Sequence, residues 1–222
     1  MTDLSVLSID RSDAIPFLTA KHYASRIPSI SYAFGLFRGQ TLIGVVTYGT
    51  PPSSTLLRGV AGESNAGCVL ELNRLTCENK SNYASFLVGR SLRMLPQPSI
   101  IVSYADTGVG HVGYVYQACN FRYTGLSSAW TDPVVEGLEH QHHATFAHGK
   151  SNEQMRESFG DALSFRARSR KHRYVCVCAR PRDRARILSE IRYKFIPYPK
   201  GSTTRHETRA ADIQGFLFGG ST

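Results

Sequence analysis

One stretch constrains this chain more than any other: SIIVSYAD, residues 99–106, framed by Pro96-Gln97-Pro98 before it and Gly108-x-Gly110-x-x-Gly113 after it. The prolines stop a helix on the near side, and the density of β-branched residues predicts a strand. The glycines call for a turn, and HVGYVYQACN then has the pattern of a helix. A strand, a glycine turn and a helix also fit the dinucleotide-binding fingerprint, so that reading has to be weighed first. Such a loop cradles a pyrophosphate and needs an acid some 20 residues on. Here Asp106 stands directly before the glycines, where its charge repels phosphate, and Tyr114 and Tyr116 are bulky where the helix must pack closely. Asp132 is at a suitable distance but sits in an Asp-Pro turn. The glycines therefore read as a turn rather than as a cofactor cradle.

The elements around this unit follow from periodicity. Ser12-Asp13 caps a helix expected over Ala14 to Tyr23, and SYAFGLFR-GQ-TLIGVVTYG reads as a hairpin turning at Gly39-Gln40. PPSS (51–54) and the small residues of 59–67 read as loop, CVLELNRLTC as a strand and SFLVGRSLRML as a helix. After HVGYVYQACN, FRYTGLSSAW returns as a strand. The expectation is an α+β domain with a mixed central sheet over residues 1–130. Residues 131–165 are polar and histidine-rich and carry no clear period. YVCVCA then reads as a short strand, RPRDRARILSEI as a basic helix, and FIPYPKG as a rigid stretch. Residues 131–222 are thus expected to be a connection and a basic region packed on the core.

Charge singles out the second part. The net charge is +9, and Arg166 to Arg209 holds 14 Lys/Arg against three acids, a net of +11 that leaves −2 for the rest. A basic segment on a near-neutral body suits a phosphate backbone. Arg168, Arg170, Lys171, His172, Arg173 and Lys200 are the expected contacts. The N-terminal residues have no signal-peptide pattern, and no run of ~20 apolar residues suits a membrane span. Five cysteines without framework spacing read as reduced cytosolic thiols. His140, His142, His143 and His148, with Cys176-x-Cys178, invite a metal reading. No CxxC or HExxH spacing accompanies them, so no metal is expected.

A strand ending in an acid, a turn and HVGYVYQACNF together resemble the last core unit of GNAT-type N-acyltransferases. The resemblance implies that CVLELNRLTC offers backbone groups to an acyl carbonyl and that the following helix N-terminus holds the donor's phosphates. It also gives Tyr116 the place of the tyrosine that protonates a leaving group. ENKSNYAS lacks the glycines usual in that phosphate loop, and Asn82 and Ser85 are the residues there that could hold an anion.

More specifically, five stretches in order resemble the Mom family of phage DNA-modification proteins: HYASRIPSISYAFGLFRGQTLIGVVTYGTPPS, ELNRLTCENKSNYASFLVGRSLRMLP, SYADTGVGHVGYVYQACNF, VVEGLEHQHHAT and KHRYVC…YKFIPYPKG. This implies an enzyme that places a carbamoylmethyl group on the exocyclic amine of adenine in double-stranded DNA, shielding a phage genome from restriction. The family motifs fall on His22, Tyr23, Tyr32, Arg74, Ser91, Asp106 and Tyr116, with Ser91 in the donor-side helix. Adenine's amine is a weak nucleophile, so a base must take its proton, and Asp106 at a strand end is the expected base. The donor is expected to be an activated acyl group, acetyl-CoA or glycyl-tRNA. A glycyl amide of adenine is an isomer of the carbamoylmethyl product, which favours the second and would make tRNA a partner beside DNA. Oligomeric state is left open, a homodimer included. The rival readings are an ordinary N-acetyltransferase and a basic DNA-binding protein without catalysis.

Overall fold

The computed structural model describes residues 3–21, 27–138, 141, 144–147 and 149–201. Its centre is a mixed, mostly antiparallel sheet with strand order β1-β2-β3-β4-β5-β9-β6. These strands are β1 (Leu4–Ser8), β2 (Tyr32–Arg38), β3 (Thr41–Gly49), β4 (Val69–Cys77), β5 (Ser99–Asp106), β6 (Arg122–Leu126) and β9 (Lys171–Cys178). A separate two-stranded ribbon pairs β7 (Thr131–Val135) with β8 (Leu163–Ala167). The helices are α1 (Arg11–Lys21), α2 (Ser54–Ala61), α3 (Tyr83–Met94), α4 (Tyr114–Ala118), α5 (Ala144–Ala147), α6 (Asn152–Phe159) and α7 (Pro181–Glu190). The mixed sheet flanked by helices is the architecture expected from the sequence.

Strand alternation divides the core into two layers. Ile101 and Ala105 of β5, Leu72 of β4 and Tyr174 of β9 pack under α3 with Leu87, Val88 and Leu92. Ile100 and Val102 of β5, Val69 of β4 and Val175 and Val177 of β9 pack under α2 and α7 with Val60, Ala61 and Ile187. The α1 helix adds Ala14 and Leu18 against Ala33 and Val45 of the hairpin. Ile100, Ile101 and Val102 are fully buried on alternating sides. At about 1.5–3 kcal/mol for each such side chain, β5 is the strand on which the core is built.

The structure corrects several local expectations. A strand, β1, precedes the first helix, which starts at Arg11 rather than Ala14. Residues 54–61 form α2 instead of loop. Ser53 Oγ caps it by accepting from the Leu56 amide at 3.2 Å, and Leu56, Leu57, Val60 and Ala61 make the helical stripe. The α4 helix is a single short turn, ended where Asn120 takes a left-handed φ of 60°. The unassigned stretch contributes the ribbon and α6, which opens with a capping box between Ser151 and Gln154. The largest difference concerns the basic segment. Lys171, His172 and Arg173 begin β9, which lies between β5 and β6 and pairs antiparallel with both. The central sheet thus draws strands from both sides of residue 130.

Candidate active site

The site is built where β4 and β5 part. These two strands pair in parallel from Val69–Ile100 to Leu72–Ser103 and no further, although β4 runs on to Cys77 and β5 to Asp106. Ser103 Oγ closes the paired part by donating to the Leu72 carbonyl at 3.1 Å. Beyond it the two strands are no longer paired with each other.

Where this pairing ends, β4 carries a bulge. Tyr48 pairs with Leu72 and Thr47 with Arg74, so Asn73 is the extra residue. Its side chain pins the kink, accepting from Thr47 Oγ1 at 2.7 Å and donating to the Ser29 carbonyl at 2.7 Å. Ser29 can approach this closely because Gly49 has no side chain; a Cβ there would lie 1.9 Å from the Ser29 oxygen. The bulge shifts the pleat by one, so Glu71 and Arg74, three apart, face the same side of the sheet. That side also receives Tyr104 and Asp106 from β5 and Lys171 and Arg173 from β9, each in register with a neighbour of the same face.

Glu71 is the buried carboxyl of this group. Burial pushes its pKa above the ordinary value, and the positive charges of Lys171 and Arg74 pull it back in part. Burial also raises the Tyr104 hydroxyl, with the Glu71 charge adding to the effect. Asp106 closes β5. Its Oδ1 accepts from the Gly108 amide at 2.8 Å and from Ser169 Oγ at 2.6 Å, and its Oδ2 lies 4.0 Å from Lys171 Nζ. Two donors occupy Oδ1, and Oδ2 is the oxygen that faces Lys171. Gly108 is required here, since a Cβ would meet Ser169 at 2.9 Å. Gly113, at φ +80°, lies against the Tyr174 ring. The glycine triplet thus shapes the corner between β5, β9 and α4, as the sequence reading held.

Tyr116 stands on the other side of the sheet. Its ring packs 5.5 Å from Phe121 and 5.4 Å from Tyr174, within the layer under α3. Asp106 shares the face of Tyr104. The glycine turn therefore does not bring the two residues to one side: register puts Asp106 on the Tyr104 face, and Tyr116 packs from α4 into the layer on the other. Tyr32 is half-exposed at the start of β2, paired with Tyr48. His22 and Tyr23 lie outside the described residues.

Among the expected donor residues, Ser91 lies inside the core. It is fully buried, its hydroxyl shared with Tyr48 Oη at 2.6 Å and the Val88 carbonyl at 3.0 Å. Asn82 is exposed at the N-terminus of α3 with a left-handed φ of 66°. Ser85 Oγ donates to the Asn82 carbonyl at 3.1 Å and lines a groove of about 340 Å³ with Gly89, Arg93, Cys119 and Arg184. The Cys119 thiol beside it is pushed up to about 11 by burial, and Cys176 is held protonated by its hydrogen bond to Cys178 and by burial. Burial thus disfavours the thiolate at Cys119 and Cys176. His140, His142, His143 and His148 lie outside the described residues. Among those described, no three metal-ligating side chains converge.

The basic residues separate into two sets. Arg168 and Arg170 are exposed in the β8–β9 turn, which is bonded onto the glycine corner: Thr107 donates to the Arg170 carbonyl through its amide and through Oγ1. Lys171 follows beside Asp106. Lys200 is exposed next to Gly201, whose carbonyl accepts from Tyr114 Oη at 2.7 Å, so it reaches the same corner by another path. His172 and Arg173 are held inward instead. His172 Nδ1 pairs with Tyr123 Oη at 2.8 Å, and burial lowers the imidazole pKa. Arg173 donates to Thr124 Oγ1 at 2.8 Å and stacks on Tyr193 with its guanidinium 3.5 Å from the ring centroid. Glu71, Tyr104, Ser169 and Tyr193 escaped sequence reasoning because only long-range pairing brings them here. The single signal for Glu71 was its charge among the apolar residues Val69, Leu70 and Leu72.

Comparison with known proteins adds the following. The model of the Mom protein family matches residues 3–200. A curated relative, methylcarbamoylase mom of Escherichia phage Mu, is 30% identical over 208 residues, covering 89% of this chain and 84% of its own. Among solved structures, the spermidine/spermine N-acetyltransferase SpeG of Vibrio cholerae has a TM-score of 0.44 at 13% identity, over 78% of this chain and 92% of its own. An acetyltransferase of Bacillus subtilis in complex with CoA has 0.42 at 13%, over 80% and 99%.

Proposed function

This chain belongs to the Mom protein family, and from that premise we propose that it transfers an acyl-type group to the exocyclic amine of adenine in double-stranded DNA, yielding a carbamoylmethyl adenine that shields phage DNA inside the bacterial host. The observation that carries this reading is the junction of the basic β8–β9 turn with the corner that holds Asp106. A surface for phosphates and a candidate base are one continuous piece of structure. The activity named for the phage Mu relative, a methylcarbamoylase, supports a product that bears both a carbonyl and a second nitrogen.

In this reading the adenine leaves the base stack and enters from the face of Asp106, Glu71 and Tyr104. The donor lies along the α3–α4 face near Ser85 and Asn82, with its acyl end where β4 and β5 cease to pair. The amine nitrogen attacks the acyl carbon, and its proton passes to Asp106 Oδ2. The bond to the leaving group breaks, and Tyr116 on the donor face supplies that group with a proton. Arg74 and the edge of β4 past the bulge stabilise charge on the acyl oxygen. The donor is an activated acyl compound. Glycyl-tRNA and acetyl-CoA are the two forms to distinguish: glycyl transfer gives N6–C(O)CH2NH2, an isomer that rearranges to the carbamoylmethyl product with no atom gained or lost, whereas acetyl transfer alone stops at an acetamide.

The test is the mass of deoxyadenosine in plasmid from bacteria expressing the chain. A heavier deoxyadenosine supports the reading, and growth on glycine carrying heavy nitrogen separates the donors. Ordinary nucleosides with DNA binding intact would leave a scaffold protein, and ordinary nucleosides without DNA binding an N-acetyltransferase for another amine.

A further inference from the structure

The only tryptophan of the chain is 69% exposed. Indole is among the costliest side chains to leave in water, and a fold able to bury Ile100 and Phe121 completely had room to cover it. Trp130 sits at the foot of the β7–β8 ribbon, where its carbonyl accepts from the Arg168 amide at 2.9 Å and continues the ladder by one rung. That rung puts Trp130 directly across from Arg168. Ribbon alternation gives Trp130, Asp132, Arg166 and Arg168 one face. Phe165 and Val135 take the other face, which α6 covers through the fully buried Met155. The outer face is therefore an aromatic ring among guanidinium groups, with Arg168 oriented by Asp132 at 3.0 Å and Arg170 by the Ser127 carbonyl at 2.7 Å.

The position of this face matters as much as its composition. Ser169, the residue after Arg168, holds Asp106. An object gripped by Arg168 and Arg170 through phosphates thus brings its base stack to Trp130 and its displaced base to Asp106. Removing a base from a duplex leaves a gap whose walls are aromatic faces, and an inserted ring restores the lost stacking.

We propose that Trp130 is the wedge of this protein: its indole enters the base stack of duplex DNA and fills the space vacated by the target adenine while Arg166, Arg168 and Arg170 hold the flanking phosphates. The inference rests on the DNA-modification reading above and extends it to the surface that opens the duplex. The β7–β8 ribbon has the dimensions of an element that lies in a groove, which lets its foot reach the base pairs.

Because Trp130 is the sole tryptophan, its fluorescence reports on this surface alone. The full chain is titrated with a short duplex and with the same duplex carrying one mismatched adenine, and binding is followed in parallel by electrophoretic mobility. The wedge predicts strong quenching of the indole emission on binding, larger for the mismatched duplex. Trp130→Ala should lower adenine modification about tenfold, as expected for loss of one base–aromatic stack, with Trp130→Phe restoring most of it. Duplex affinity should fall by only about threefold, because phosphate contacts supply most of it. An unchanged melting temperature for Trp130→Ala shows that the fold is intact. A duplex that binds with unaltered emission, or a Trp130→Ala variant that modifies DNA at the wild-type rate, overturns the wedge and leaves the DNA reading in place. A chain that binds no duplex at all overturns both.

Discussion

Ser169 donates a hydrogen bond to Asp106 across 63 residues of sequence, Oγ to Oδ1 at 2.6 Å. With the Gly108 amide on the same oxygen, it fixes the carboxylate and turns Oδ2 toward Lys171. Asp106→Asn keeps the shape and removes the base, so adenine modification should fall about 100-fold or more. Ser169→Ala frees the carboxylate without removing it and should cost about tenfold or less. Mass spectrometry of plasmid nucleosides measures both. Full modification by Asp106→Asn would remove Asp106 from the chemistry.

Ser91 makes a different prediction, because it supports Tyr48 inside the core. Ser91→Ala leaves the Tyr48 hydroxyl buried without that partner and should destabilise the fold by about 1–3 kcal/mol, read from denaturant melting. Modification per folded molecule should stay near the wild-type level. A stable variant without activity would return Ser91 to the donor site.

Glu71 sets a pH dependence of stability. Its pKa is raised in the folded protein, mainly by burial, so the favourable protonated form is fully present below the unfolded value of 4.5 and is lost as pH rises through the folded pKa. Glu71→Gln mimics the protonated form. It should melt at a higher temperature than wild type at neutral pH, and the difference should vanish as pH falls toward 4.5. If Glu71 shares the proton transfer, the same variant loses modification.

His172 runs the other way. Burial lowers its pKa from 6.5, so the neutral ring bonded to Tyr123 contributes stability above that value, and the contribution is lost as pH falls through the folded pKa. Wild type should lose melting temperature on acidification below pH 6.5 more steeply than His172→Gln does. Parallel curves would show that the pair is energetically silent.

The two basic sets should separate in a salt titration of duplex binding. Each phosphate contact contributes about 0.9 to the slope of log affinity against log salt, so Arg168→Gln and Arg170→Gln should each flatten it by about one. Arg173→Gln should instead lower the melting temperature through loss of Thr124 and the Tyr193 ring, and leave the slope alone. A flattened slope for Arg173→Gln would place that side chain on DNA.

Much of the fold was legible from local pattern. The hairpin turning at Gly39, the strand SIIVSYAD and the helix over SFLVGRSLRML each carry their own period, and the order of motifs carries the family. The α2 helix was missed because Pro51, Pro52 and two glycines outweighed a short apolar stripe. The β9 strand was shortened because its first three residues are basic, and a charged strand start is tolerated once β5 and β6 supply hydrogen bonds on both sides.

The sequence by itself determined which segments extend, which coil, where charge gathers and to which family the chain belongs. All of these depend on neighbours a few residues apart. The tertiary structure alone decided that Glu71 and Arg74 share a face, that Asp106 and Tyr116 do not, that Ser91 is sealed, and that Ser169 holds Asp106. The reason is that a strand's faces are fixed by its register, and register depends on hydrogen bonds to strands far away in sequence. A single extra residue at Asn73, held by Thr47 and Ser29, inverts the pleat beyond it, and nothing within ELNRLTC marks where that inversion falls.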